Sequence, residues 1–305
     1  MKQALWLQPN QRQVIDWPTQ MPGTEGVLWL NLQGPTPAEL EEVAKVYDLH
    51  PAVVRACLHP EHRAKLKEFP GHLFLVLGAL GRGTSDAKQA DSIPELRRWR
   101  TLELDLIITE RVLITVHPEP VPAVAALWQR LAKAGEGRPA VDYLVYALAE
   151  AVTSGYFVLL DRIDQHIDGM ETQIFAGETS QALVDRLFTL KRHILNLRRT
   201  LAPQRDALSA LMRREFGIFG PESRSYFVDL YEHNLRLFDL LDTYRDLISS
   251  SLDAYLSAVS NKMNDVMKTL TIVSVVMLPL SVMSGIFGMN FVRMPLIEDP
   301  HGFWV

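Results

Sequence analysis

The chain has 305 residues, of which 48% are hydrophobic, so it can bury a substantial core and form more than one structural unit. The formal charge of −5 argues against general nucleic-acid binding, which needs a basic surface. Cys57 is the only cysteine, which excludes a disulfide framework, and the N-terminus lacks the basic start and apolar core of a signal peptide, so we expect about the first 250 residues to stay in a reducing cytosol.

Residues 1–140 are expected to form a mixed α/β cytosolic domain. Two segments that begin with proline are typical of helices, Pro37–Tyr47 and Pro51–Leu58. A polar loop from Gly81 to Asp91 is expected to connect the strands of a hairpin. Short apolar runs bounded by turn residues predict four strands: Gly26–Leu32, His72–Leu80, Thr101–Ile108 and Arg111–His117.

Residues 141–219 read as helical throughout. Apolar residues recur at spacings of three and four in Val141–Ile174 and in Ser180–Phe216, which predicts an antiparallel helix pair. The first half of the first helix is apolar enough to suggest a membrane span. Because Asp142 and Glu150 interrupt it, we expect a soluble amphipathic helix instead.

A third helix is expected from Glu222 to Phe287, because glycine is absent before Gly285 and Pro279 is its only proline. Such a helix would be roughly 100 Å long at about 1.5 Å per residue. Residues 220–269 form its cytosolic stalk, and the uncharged residues 270–289 are long enough to cross a bilayer as a transmembrane helix. The whole chain is therefore predicted to be an α+β protein with one very long stalk and transmembrane helix, followed by an external loop over residues 290–305.

One polar stripe runs along a single face of this third helix, because its members recur at alternating steps of four and three residues from Glu232. A symmetric bundle with a water-filled axis requires such a continuous face, whereas small residues taken alone also mark tight helix packing. Towards and within the membrane the stripe contains Asn264, Met267, Thr271, Ser274, Leu278, Ser281, Gly285 and Gly288.

Acidic residues recur every seven positions in the cytosolic part of the stripe, at Glu232, Asp239, Asp246 and Asp253. In a parallel bundle each would become a ring of carboxylates that concentrates cations near the pore. Arg236 lies on the same stripe and partly cancels this field. The alternative is that a long surface helix simply needs a solvated face.

The end of the span carries the most specific motif, Gly288-Met289-Asn290, which follows Leu278-Pro279-Leu280 and precedes Met294-Pro295. The stretch YLSAVSNKMNDVMKTLTIVSVVMLPLSVMSGIFGMNFVRMP resembles the CorA-type divalent cation channels, whose signature is Gly-Met-Asn at the end of the first transmembrane helix. The segments from Val27 to Leu77 and from Glu110 to Pro120 resemble the cytosolic domain of the same family. The resemblance therefore spans nearly the whole chain.

The resemblance implies a homopentameric Mg²⁺ and Co²⁺ channel in the plasma (inner) membrane, with its N-terminal domain in the cytoplasm and no organic cofactor. Gly288, Met289 and Asn290 would form the selectivity filter, since a ring of carboxamide oxygens can accept hydrogen bonds from the waters that Mg²⁺ holds. Gly288 is expected to resist substitution if its turn needs a backbone conformation that a side chain would strain.

The apolar residues near the stripe at the membrane entrance suggest a gate, and the resemblance adds Leu270 to it and implies an outer mouth. Met267, Leu270 and Leu278 would form an apolar constriction that closes by dewetting. Leu270 lies one position off the strict stripe, so its place comes from the resemblance, and core packing is the competing account. Glu298 and Asp299 would gather cations at the outer mouth, although Leu296 stands where the family commonly has an acid after Met-Pro.

Intracellular Mg²⁺ closes the channels of this family by bridging acidic groups of neighbouring cytosolic domains. An ungapped count back from Gly-Met-Asn puts Asp229 at the position of the stalk acid, and Asp253 is a further candidate. The partner from the adjacent subunit is expected near Asp86 and Asp91. The alternative is that Asp229 is an ordinary solvated acid.

The family has two spans per subunit, and this chain stops at Phe303-Trp304-Val305, where the second span should begin. We therefore expect the sequence to be incomplete or cut there. Two alternative functions stay open: a zinc-transporting member of the same superfamily, and a membrane-anchored coiled-coil scaffold without a pore. An enzyme is not expected, because no Gly-rich phosphate loop and no nucleophile with a base and an orienting group stand out.

Overall fold

The computed structural model describes residues 1–8, 11–17, 23, 25–60, 63–82, 93, 96, 99–133, 140–220, 222–289 and 300–301. The chain divides into two compact units. The first contains residues 1–172 and 180–252, and the second contains residues 173–179 and 253–305.

A seven-stranded sheet with the order β2-β1-β3-β7-β6-β5-β4 forms the centre of the first unit. The central strands β3 and β7 pair in parallel, and the other neighbours pair antiparallel. The strands are β1 Lys2–Leu7, β2 Arg12–Ile15, β3 Val27–Gln33, β4 Lys65–Phe69, β5 His72–Arg82, β6 Trp99–Ile108 and β7 Val112–His117.

The four predicted strands are confirmed as β3, β5, β6 and β7. The predicted hairpin is also confirmed, because β5 and β6 pair antiparallel along their length. Most of the loop between them, residues 83–92, lies outside the described residues. Strands β1, β2 and β4 were not predicted.

Helices cover both faces of the sheet. Helices α1 (Pro37–Val46) and α2 (Pro51–Leu58) contribute Leu40, Val43 and Val53 to a core shared with one sheet face. Side chains alternate between faces along a strand, and Trp29 points to the opposite face, where its ring contacts Trp128 of α3 (Pro122–Lys133) at 5.1 Å between ring centroids.

Three long helices follow: α4 (Val141–Phe175), α5 (Gln181–Arg213) and α6 (Ser223–Phe287). Two hydrogen-bond contacts between α4 and α6 join residues 83 positions apart and a third joins residues 80 apart, and this nearly constant separation shows that the two helices run parallel. Arg198 and Arg205 of α5 contact Asp242 and Phe238 of α6, respectively, which shows that α5 runs antiparallel to α6. The predicted antiparallel pair of α4 and α5 is therefore confirmed.

The sheet and the long helices meet at Gly78 of β5. Its carbonyl oxygen accepts a hydrogen bond from Tyr156 Oη at 2.7 Å, and its N–H donates to Gln204 Oε1 at 3.0 Å. A Cβ at this position would lie 3.0 Å from the methyl groups of Thr101 and Thr200. Glycine is needed here because α4 and α5 approach the strand backbone closely.

Helix α4 ends where the sequence predicts. Gly177 adopts φ +80°, its N–H donates to Ile174 O at 2.9 Å, and Glu178 N–H donates to Gln173 O at 3.0 Å. This pair of bonds at a left-handed glycine is the usual way in which a helix terminates.

Two described helices, α4 and α6, are long and apolar enough to cross a membrane by length and composition. In the most apolar window of α4, 56% of the residues are buried within the protein, as expected for a helix that packs in the first unit. In the corresponding window of α6 none is buried, and every residue from Val259 to Met289 is exposed. An apolar surface of this length needs lipid or further protein to cover it.

Candidate functional site: the polar face of α6

In the first unit, the part of the polar stripe from Glu232 to Ser250 is the exposed face of α6. The opposite face is buried and includes Leu230, Leu237, Leu241 and Ile248. The exposed members of the stripe are Glu232, Arg236, Asp239, Thr243, Asp246 and Ser250. The residues at steps of four and three are thus the ones that stay exposed when α6 buries its opposite face.

In the second unit, Asp253 and the remaining members of the stripe as far as Gly288 are also exposed. Hydroxyl groups on this part of α6 donate to carbonyl oxygens one turn earlier: Ser257 Oγ to Asp253 O at 3.0 Å, and Thr271 Oγ1 to Met267 O at 2.8 Å. Each hydroxyl thereby satisfies its own donor within the helix. Ser257 and Thr271 can therefore face an apolar surrounding or water without an unpaired proton.

The three candidate gate residues, Met267, Leu270 and Leu278, are 60%, 63% and 68% exposed, respectively. A soluble monomer would not leave large apolar side chains so open. Their exposure is compatible with a ring of such side chains around an axis and with packing against neighbouring helices. Gly285, further along the same face, has nothing within 4 Å of the position that a Cβ would occupy.

Helix α6 ends immediately before the signature motif. Gly288 N–H donates to Ser284 O at 3.0 Å, and Met289 N–H donates to Ile286 O at 3.2 Å. Gly288 was expected to resist substitution if its turn needed a strained backbone, and that condition is not met, because the described residues with positive φ do not include Gly288. What limits this position is space, since a Cβ would lie 3.1 Å from Ser284 O.

Several candidates lie outside the described residues. These are Asn290 in the proposed filter, Glu298 and Asp299 at the proposed outer mouth, and the candidate partner acids Asp86 and Asp91.

Asp229, the candidate stalk acid, is exposed on α6 in the first unit. Its Oδ2 accepts a hydrogen bond from Tyr146 Oη of α4 at 2.8 Å. Asp253 is also exposed, further along α6. No group of three His, Cys, Asp or Glu side chains within the described part of the chain could hold a metal ion. A site at Asp229 would therefore need ligands from another chain or from undescribed residues.

Sequence reasoning did not find two polar features of the first unit. One is the contact of Tyr146 and Glu150 on α4 with Asp229 and His233 on α6, which the matching spacing of four residues on both helices could have indicated. The other is a pair of buried acids, Glu103 and Asp105, on β6. Alternating carboxylates in an apolar strand were the available signal for that pair.

Cys57, on α2, is partly buried and packs against the core between the helices and the sheet, as its place on an amphipathic helix predicts. Burial, and then the nearby carboxyl group of Asp105, raises the pKa of the Cys57 thiol well above its usual value. A thiol that stays protonated is a poor nucleophile and a poor metal ligand.

Comparison with known families shows which kind of protein this long helix with one polar face belongs to. The family described as CorA-like Mg²⁺ transporter protein matches residues 24–305. The chain belongs to the CorA-like Mg²⁺ transporter family. The resemblance found in the sequence is thereby confirmed, and so is its implication that this is a transporter fold built on a membrane-spanning helix.

Relatives and solved structures agree with the family. The chain is 32% identical over 279 residues to the cobalt/magnesium transport protein CorA of Thermotoga maritima, covering 90% of this chain and 76% of that protein. The complete CorA magnesium transporter of Methanocaldococcus jannaschii superimposes with a TM-score of 0.81 at 23% identity, covering 100% of this chain and 92% of that one. The full-length CmaX protein gives a TM-score of 0.79 at 25% identity, with 99% and 91% covered. The α+β architecture with a long terminal helix is therefore the fold of CorA structures.

Proposed function

We propose that this CorA family member is the subunit of a homopentameric channel that passes Mg²⁺ and Co²⁺ into the cytosol and is closed by intracellular Mg²⁺. The single observation that carries the proposal is α6, whose exposed polar face continues from the acidic stalk into an uncharged apolar segment. A helix of this kind suits a bundle with a water-filled axis. The T. maritima relative is named for cobalt and magnesium transport, which supports the choice of ions.

The proposed layout places residues 1–140 and 141–219 in the cytosol, residues 220–269 in the cytosolic stalk, residues 270–289 across the plasma (inner) membrane, and residues 290–305 outside. Transport is passive. A negative cell interior of 100 mV contributes about 2.3 kcal/mol per elementary charge, so about twice that for a divalent cation.

The filter is proposed to be the ring of Gly288, Met289 and Asn290. Mg²⁺ loses its waters reluctantly, so a pore passes it most readily with its hydration shell in place. Carboxamide oxygens can accept hydrogen bonds from those waters without the strong attraction by which carboxylates would trap the ion. Below the filter, rings of Leu278, Leu270 and Met267 would form the apolar gate.

Closure is proposed to depend on Mg²⁺ bound between Asp229 of one subunit and acids of its neighbour, with Asp86 and Asp91 as the candidates and Asp253 as a further stalk acid. Clustered carboxylates repel one another, and bound Mg²⁺ removes that repulsion. A ligand shifts a gate only through such a difference in binding between the two states. Loss of Mg²⁺ would therefore loosen the subunit interface and favour opening.

The test is ion flux in proteoliposomes that hold the chain extended by a second membrane span, as the family resemblance implies. We expect uptake of Mg²⁺ and Co²⁺. Uptake of Zn²⁺ with exclusion of Mg²⁺ would assign the protein to a zinc-transporting branch, and no flux of any of the three ions would favour a scaffold without a pore.

Asn290→Ala tests the filter in the same preparation. We expect loss of Mg²⁺ flux with the oligomer intact on size-exclusion chromatography, because a methyl group cannot accept hydrogen bonds from hydrated Mg²⁺. Asn196→Ala, at an exposed position on α5, is the matched control and should keep the wild-type flux. Unchanged flux through Asn290→Ala would remove the filter assignment.

A further inference from the structure

Tyr146 contacts Asp229 from a fixed position. Its ring stacks on Tyr226 of α6 with 5.1 Å between ring centroids and 25° between planes, and the centroid of the Tyr143 ring lies 6.5 Å away. The Tyr143 and Tyr226 rings also meet edge to face at 6.1 Å. Three packed rings from two helices thus fix the phenol, and its hydroxyl donates to Asp229 Oδ2 at 2.8 Å.

The next turn of the same two helices holds a second cross-helix contact. His233 Nδ1 and Glu150 Oε2 are 2.8 Å apart, and Ser154 Oγ donates to Glu150 Oε1 at 3.0 Å. The His233 ring also stacks on Phe157 with 4.7 Å between ring centroids. This contact lies one turn beyond Tyr146 on α4 and one turn beyond Asp229 on α6. It therefore holds the two helices together next to Asp229.

Within the described structure, one of the two carboxylate oxygens of Asp229 accepts a hydrogen bond. An ionised carboxylate has two oxygens and about four lone-pair positions. Within the described part of the chain, the hydrogen bond to Asp229 is the one from Tyr146 at Oδ2, and the residue is exposed. One oxygen is thus held, and the other is open to a ligand.

We infer that Tyr146 is a positioning residue for the regulatory cation: its hydroxyl holds Oδ2 of Asp229 and thereby presents the other oxygen to Mg²⁺ bound at the subunit interface. This inference rests on the proposed regulatory role of Asp229. Carboxylates that bind metal ions are commonly oriented by hydrogen bonds from neighbouring groups. A carboxylate held in one rotamer also loses less conformational entropy when the ion binds.

Tyr146→Phe tests the inference, because it removes the hydroxyl and keeps the ring in its stack. The readout is the Mg²⁺ concentration that gives half-maximal protection of the full-length oligomer from protease, together with the concentration that half closes the channel. We expect both to rise by about tenfold, the lower end of what loss of an orienting hydrogen bond costs a metal site. Tyr143→Phe removes a hydroxyl from the same ring cluster without touching Asp229 and should keep the wild-type values.

Asp229→Ala and the double variant separate the inference from the proposed function. If Asp229→Ala shifts both concentrations but Tyr146→Phe does not, Asp229 binds the cation and the positioning role of Tyr146 is wrong. If Asp229→Ala leaves both at wild-type values, Asp229 does not bind the regulatory cation, and the positioning role of Tyr146 is wrong as well. In the double variant we expect no shift beyond that of Asp229→Ala. A further shift as large as that of Tyr146→Phe alone would show an independent structural role and would overturn the inference.

Discussion

At the scale of single residues, the least ordinary feature of the first unit is the acid pair on β6. Glu103 and Asp105 lie two positions apart, so they share one face of the strand, and both are buried at 3% exposure. Burial, and then the nearby charge of Glu103, raise the pKa of Asp105 to about 8. Near neutral pH this carboxyl therefore keeps its proton in the folded protein.

This shift predicts how stability depends on pH. Between the ordinary value of 3.8 and about 8, folded Asp105 holds a proton that the unfolded chain has released, so stability falls as pH rises through this window. Asp105→Asn removes the titration. We expect the thermal unfolding temperature of the variant, relative to wild type, to increase steadily from pH 5 to pH 8.

Asp16→Asn is the control, because Asp16 is exposed. It should follow the wild-type pH profile. If Asp105→Asn also follows that profile, the carboxyl is ionised in the folded state and the assignment of its proton is wrong.

Single residues also show where sequence reasoning stops. In the first unit, the spacing of α6 predicted which stripe residues between Glu232 and Ser250 are exposed, because the period of a helix determines which side chains share a face. The hydrogen bond from Tyr146 to Asp229 could not be predicted, because it depends on how α4 and α6 pair, and the two residues are 83 positions apart. At Gly288 the sequence could not tell whether the backbone is strained, and the described residues with positive φ do not include it.

At the scale of elements, signals inside a segment were the reliable ones. Helix α1 begins at a capping box of Thr36 and Glu39, followed by a proline in its first turn, and α2 also begins at a proline. Both were predicted within a residue or two. Strands β2 and β4 were not, because each is short and lies at an edge of the sheet. A short polar edge strand is defined by its partner more than by its own composition.

The buried face of α6 contains a polar residue, Asn234, whose side chain makes no hydrogen bond within the described structure. Asn234 is fully buried, and neither amide atom has a hydrogen-bond partner within the described structure. An unsatisfied buried polar group costs about 1–3 kcal/mol. We expect Asn234→Leu to raise the unfolding free energy by roughly this amount in chemical denaturation.

Leu237→Ala, one turn further along the same buried face, is the opposing control and should lower the unfolding free energy by about 2–5 kcal/mol. A loss of stability in Asn234→Leu would show that the amide has a partner, such as a bound water, on which the fold depends.

At the scale of the whole molecule, the acids of the stripe act only if several chains meet. Glu232, Asp239, Asp246 and Asp253 are exposed on one face of α6 at intervals of seven residues. A pentamer around that face would stack rings of carboxylates along the approach to the pore. Their field is long-ranged only at low salt, since the screening length falls from about 30 Å at 0.01 M to about 8 Å at 0.15 M.

Neutralising the four acids together to Gln and Asn should therefore lower Mg²⁺ flux in proteoliposomes at low ionic strength and have much less effect at physiological salt. The control removes the same charge from four exposed acids elsewhere and should leave the flux unchanged. An equal loss at both ionic strengths would mean that the stripe acts through packing and not through its field. The control positions are Glu41, Glu110, Asp185 and Glu215.

The order of the sheet has a consequence for how the protein is made. All strands of the described sheet lie before residue 118, and its central parallel pair joins β3 to β7, the last strand to be synthesised. The sheet can therefore close on the ribosome before any of α4, α5 and α6 has emerged, since domains tend to fold as they leave the exit tunnel. At that stage the N–H and C=O of Gly78 can hydrogen-bond to water. Tyr156 and Gln204 replace this water when α4 and α5 pack against the sheet. The apolar segment of α6 comes later still, so the sheet can be complete before the nascent chain is committed to the bilayer.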